Sequence, residues 1–135
     1  MRMYIAVCMS VMVAGAATGC TQQQSASNDF KGDEKDVAQV VLDLSSDASR
    51  GRAAEVCDDL LSDRLQKSVA GDSSCISEVK KAFEDADQAT LEVDDVTITG
   101  SKATAVVSSE DREEKVKRTF ELVREDDGWR IDSFG

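Results

Sequence analysis

The spacing of apolar residues along this chain changes once, near Gln88, from a period of 3.6 to a period of two. No single regular element satisfies both periods, so the sequence predicts helices first and strands second. In DEKDVAQVVLDLSSDAS, Val37, Val40, Val41, Leu44 and Ala48 fall at i, i+3, i+4, i+7 and i+11, one helical stripe. Asp33 after Gly32 reads as its N-cap, and Arg50-Gly51-Arg52 closes it. In RAAEVCDDLLSDRLQKSVAG a second stripe carries Ala53, Cys57, Leu60, Leu61, Leu65 and Val69, with Ser62 or Asp63 placed to cap a new short helix after a kink. Gly71-Asp72-Ser73-Ser74 is a stop followed by a cap. A third stripe follows at Ile76, Val79, Ala82, Phe83 and Ala86.

Beyond Gln88, Leu91 and Val93 alternate, and Val96 and Ile98 then alternate on the opposite parity. That slip at Asp94-Asp95 predicts a bulge or bend. Gly100-Ser101 is a hairpin turn, Ala103, Ala105 and Val107 a second strand, and Ser108 to Glu114 a polar connection. Val116, Phe120 and Leu122 share a face, Asp127-Gly128 marks a tight turn, and Trp129 and Ile131 begin the last strand. The expected fold is α+β: three N-terminal helices packed on one face of a curved four-stranded antiparallel sheet.

The front of the chain follows other rules. Arg2 is the only charge before Asp29, and Tyr4 to Ala17 is apolar or small apart from Ser10. As a helix that stretch spans about 21 Å, short of the roughly 30 Å hydrocarbon core. A basic start, a short apolar centre and a small-residue end are the parts of an export signal. Ala17-Thr18-Gly19-Cys20 resembles the lipobox of bacterial lipoproteins, with Ala17 where Leu is usual. The resemblance implies cleavage before Cys20 and a diacylglyceryl group on its thiol, which satisfies the two-chain requirement for stable anchoring. Residues 1–19 are then a lipoprotein signal peptide and residues 20–32 a lipidated flexible linker rich in Gln and Ser. Phe30 is the one linker residue suited to packing on the domain or touching headgroups. Residues 33–135 have the length of a single domain. The expected location is the extracytoplasmic face of the cell membrane.

Charge and cysteines narrow the function. The chain has 16 Lys+Arg against 27 Asp+Glu, a net charge of −11, and loss of residues 1–19 removes only Arg2. Such a surface repels nucleic-acid phosphates and anionic headgroups; the membrane contact must come from the lipid. Cys8 leaves with the signal and Cys20 takes the lipid, so Cys57 and Cys75 remain as a pair in an exported chain, where disulfides persist. Two thiols without histidine or C-x-x-C spacing make a poor metal site. Asp58-Asp59, Asp94-Asp95 and Asp126-Asp127 are hard-ligand pairs. The run nearest to a calcium loop, Asp85-Ala86-Asp87, has Ala89 and Thr90 where an acid or amide and then glycine are required. Surface acids are the plainer reading, and neither a metal nor a cofactor is expected.

The segments AAEVCDDLLSDRLQ with the later Cys75, VTITGSKATAVV and FELVREDDGWRID are similar to those of small actinobacterial lipoproteins with a nuclear transport factor 2-like domain. The resemblance implies a curved sheet around helices with a tapered pocket, and no particular activity, since that cone hosts enzymes, binders and scaffolds. Enzymes of the fold use Asp or His with Tyr or a second acid. This chain has no His, and its one tyrosine, Tyr4, lies in the signal. Phe83, Phe120 and Trp129 are candidates both for pocket lining and for core. Arg112, Lys115, Lys117 and Arg118 form a basic cluster, readable as cross-strand pairing with nearby acids or as a docking patch. The leading expectation is a non-catalytic binding or interaction module for an envelope protein or a small apolar ligand. An isomerase- or hydratase-like enzyme with a buried Asp or Glu, and a structural accessory subunit, are the competing readings. A buried carboxyl with a raised pKa separates the enzyme from the others.

Overall fold

The computed structural model describes residues 30–86, 90–111 and 114–135. The signal segment, Cys20, linker residues 21–29, Asp87, Gln88, Ala89 and Arg112 lie outside the described residues. The elements are α1 (Asp33–Ser49), α2 (Ala53–Glu55) continuing into a π-helical turn (Val56–Leu60), α3 (Asp63–Ala70), α4 (Cys75–Asp85), β1 (Leu91–Thr99), β2 (Lys102–Asp111), β3 (Glu114–Glu125) and β4 (Gly128–Phe134). The strands form one antiparallel meander in the order β1-β2-β3-β4.

The helical half matches the apolar stripes with corrections at the ends. Val37, Val41 and Leu44 bury the inner face of α1, and Ala38 joins them. Gly32, not Asp33, is the N-cap, without a side-chain bond; Asp33 is the first helical residue. Asp33, Glu34 and Asp36 place their charge at the positive end of the helix dipole. The second stripe does not form one helix. After the π turn, Leu61 is extended and Ser62 caps α3, its hydroxyl accepting from the Leu65 N–H at 3.1 Å. In α4, Ser74 caps as expected and Val79 is buried, but Ile76 is 45% exposed and Ala82 and Ala86 face solvent. The disulfide explains the discrepancy: Cys57 and Cys75, with Cα atoms 6.1 Å apart, fix the start of α4 against the π turn. A covalent tie replaces part of the apolar stripe that would otherwise hold the helix.

Three packed helices on the sheet is therefore too simple. The described residues form four helical pieces, and α1 covers the sheet, lying on β1 and β4, with the π turn and α3 against β4. Helix α4 packs mainly on α2, the π turn and α3. The core between layers joins Val37, Val41, Leu61, Leu122 and Ile131, each 1% exposed or less.

In the sheet, the parity slip is a bulge. Val93 pairs with Val107 and Asp95 with Val106, leaving Asp94 unpaired and both Val93 and Val96 buried. A second bulge went unread in the sequence: Glu121 pairs with Ser133 and Leu122 with Ile131, leaving Asp132 out. Gly100 at φ +62 makes the β1–β2 turn. The expected polar connection from Ser108 to Glu114 is mostly strand: β2 runs to Asp111 and β3 resumes at Glu114. The β3–β4 turn is Asp126-Asp127, one residue earlier than expected, and Gly128 is the first residue of β4 at φ +139.

Candidate functional site

The end of the domain formed by the β3–β4 turn, the π turn and the flank of α1 carries two open grooves. One, about 600 Å³, is lined by Asp58, Asp63, Glu125 and Asp126 among others; the second, about 580 Å³, by Asp36, Asp43, Asp59, Val40, Leu60 and Trp129. Asp127 and Arg130 belong to both. The sequence places the carboxylates here for local reasons: Asp126-Asp127 is turn, and Asp58-Asp59 is the solvent side of a helical turn that buries Val56, Cys57 and Leu60.

Two arginines hold this end together. Arg130, only 9% exposed, donates to the Asp58 carbonyl at 2.9 Å and to the Asp127 carboxylate at 2.6 Å. The Asp58 carbonyl belongs to the last turn of a helix and lacks a regular partner, which gives a buried guanidinium something to bind. Arg124 reaches Asp33 at 2.5 Å and stands 5.0 Å from the centroid of the Trp129 ring. Trp129 is 4% exposed, and its Nε1 is buried without an acceptor. An orphaned buried donor costs roughly 1–3 kcal/mol.

Both bulged aspartates are anchor points. The Asp132 carboxylate accepts from the Ser62 hydroxyl at 2.6 Å and from Arg64 at 2.8 Å, while the Ser62 N–H donates to the Ile131 carbonyl at 2.8 Å. Hydrogen bonds from Arg64, then from Ser62, hold the Asp132 carboxyl below its ordinary value against the opposing effect of burial. Asp94 accepts from Ser108 at 3.1 Å and pairs with Lys117 at 3.2 Å. Burial works to raise its carboxyl, but Lys117 and Ser108 together bring it below the ordinary value. Glu78 is also lowered, by Lys81. Every carboxyl displaced among the described residues is displaced downward, in the direction of the charged form.

The remaining sequence candidates fall in different places. Cys57 and Cys75 are joined. Phe120 is 5% exposed and meets Phe134 edge to face, with centroids 5.2 Å apart. Phe83 packs partly buried against the core from α4. Of the three aromatics, Trp129 lines the second groove, and neither groove is lined by Phe83 or Phe120. Lys115 pairs with Glu92 at 3.3 Å and Lys117 with Asp94, so those two members of the basic cluster are engaged across the sheet. Among the described residues no three Asp, Glu, Cys or His side chains converge to hold a metal ion. No described helix is long and apolar enough to cross a membrane. Ser62 is the cap expected from the sequence, but its bond to Asp132 and the parts played by Ser108, Arg130 and Asp132 were missed by sequence reasoning. The burial of Ser62, Ser108 and Arg130 follows from two bulges and a π turn, and the parity slip at Asp132, from Ile131 to Phe134, rests on one apolar residue that is itself half exposed.

The chain matches no family profile, no curated protein and no solved structure at a significant level.

Proposed function

We propose that this chain is an envelope lipoprotein, exported by residues 1–19, anchored through a diacylglyceryl group on Cys20, and carrying a nuclear transport factor 2-like head that acts as a non-catalytic interaction module. Its partner is a protein rather than a small apolar molecule. One observation carries the reading: the two grooves are open and walled largely by carboxylates, while most of the large apolar side chains of the described residues are buried in the core. Such walls suit a charged surface and penalise an apolar ligand. The downward displacement of Asp94, Asp132 and Glu78 supports the non-catalytic part, since a general acid or base of this class needs a raised carboxyl. The Cys57–Cys75 bridge suits an oxidising compartment. The order of helices before a bulged antiparallel meander supports the cone-like fold.

Native mass spectrometry of the full chain, extracted from its own membranes in mild detergent, tests the reading. A retained second protein is the expected result. A bare chain, or one carrying a small apolar molecule, would contradict it.

A further inference from the structure

We propose that the groove between α1, the π turn and the start of β4 receives a lysine- or arginine-rich segment of the partner, with a backbone carbonyl of that segment accepting from Trp129. The proposal rests on the interaction-module reading and narrows it to one site and one chemistry.

Asp36, Val40 and Asp43 lie at i, i+4 and i+7 on one flank of α1, and Asp59 and Leu60 of the π turn line the same groove. Among the described residues, none of these three aspartates is paired with a Lys or Arg. The two arginines in the wall are already engaged, Arg124 by Asp33 and Arg130 by Asp127. The negative charge of the groove is thus left for something from outside. Val40 and Leu60 offer apolar surface to the aliphatic stems of long cationic side chains.

The second observation is independent of charge. Trp129 is a wall residue of this groove, more than nine-tenths buried, and its Nε1–H has no acceptor. A bare metal cation has no lone pair to offer that donor, whereas a peptide brings carbonyl oxygens along with its cations. The same acids also fail to converge on a metal position. The Arg124 guanidinium, on a side chain 46% exposed, stands over the indole face and is held there by Asp33. A ligand cation that competes for Asp33 frees Arg124 to leave the ring face, and the indole then has room to turn its Nε1–H toward the ligand.

Trp129 is the only tryptophan in the chain, so one indole N–H resonance reports on this groove alone. The full chain in mild detergent is titrated at low ionic strength with a blocked, alternating Lys-Gly peptide. A saturable downfield shift of that resonance is expected. The Asp36→Asn/Asp43→Asn/Asp59→Asn variant should bind about tenfold more weakly, the sum of three exposed charge contacts. A control with equal net charge, Asp72→Asn/Glu84→Gln/Asp85→Asn, should bind like the wild type. An unmoved indole signal, an equal loss in both triple variants, or the same shift from calcium chloride alone overturns the proposal. If the peptide fails while native mass spectrometry retains a partner protein, this groove assignment falls and the interaction module stands; failure of both removes both.

Discussion

Asp94 and Asp132 occupy matching positions on the two outer strands, each the unpaired residue of a bulge. A bulge re-aims a side chain and leaves its backbone outside the ladder. Here each re-aimed carboxylate takes the hydroxyl of a serine that is 1% exposed, Ser108 or Ser62, and an exposed cation on its outer side. Removing the charge at Asp132 weakens the acceptor for a buried hydroxyl, so Asp132→Asn should cost about 2 kcal/mol at neutral pH. The Asp132 carboxyl lies lower in the folded chain than in the unfolded one. Its contribution is therefore complete above the ordinary carboxylate value, near pH 4, and is lost as pH falls through the folded value. Urea midpoints across that range should show wild type and Asp132→Asn converging toward acid pH. A gap that stays constant would show that the carboxylate is not the source.

The elements that were legible in the sequence are those whose burial follows a strict period. Val37, Val41 and Leu44 announce α1, and Val93 and Val96 announce both β1 and its bulge because the apolar parity flips between them. The second bulge leaves a fainter flip: the parity changes from Trp129 and Ile131 to Phe134 as well, but a single apolar residue, itself 46% exposed, follows Asp132 and sets no alternation. The π turn was silent: Ala53, Cys57, Leu60 and Leu61 fit an ordinary helix, and only the third dimension brings the Leu61 backbone beside Ile131. That short parallel bridge covers the outer edge of β4, while the Asp94 bulge and Asp95 charge guard the edge of β1. Two substitutions test this layer. Cys57→Ser/Cys75→Ser opens a loop with a sequence separation of 18 and should lose about 3 kcal/mol by chain entropy, measured by urea unfolding against the oxidised wild type. Gly128→Ala forces a side chain into the φ +139 backbone that starts β4 and should cost about 1–3 kcal/mol through strain, although its Cβ would meet nothing within 4 Å. A neutral result there would mean that the turn relaxes freely.

At the scale of the whole molecule, acidity and anchoring oppose each other. A head with this excess of acids does not settle on anionic headgroups by charge, so the proposed lipid must supply the membrane contact. Phe30 packs against the core ahead of α1, so of the two roles expected for it the described residues show packing on the domain. Cys20→Ser should leave the chain unacylated and unprocessed, read by loss of lipid labelling and by the slower gel mobility of a chain that keeps residues 1–19. The candidate site was only partly legible at this scale. Asp59 and Asp127 are visible in acidic doublets of the sequence, but Asp36 and Asp43 stand alone in α1, and the gathering of all four around Trp129 needs α1, the π turn and the β3–β4 turn to meet. The intact mass of the chain purified from its own membranes tests the anchor most directly. A chain that begins at Cys20 and carries a diacylglyceryl group is the expected result. A mass that begins at Met1, or an unacylated Cys20, would contradict it.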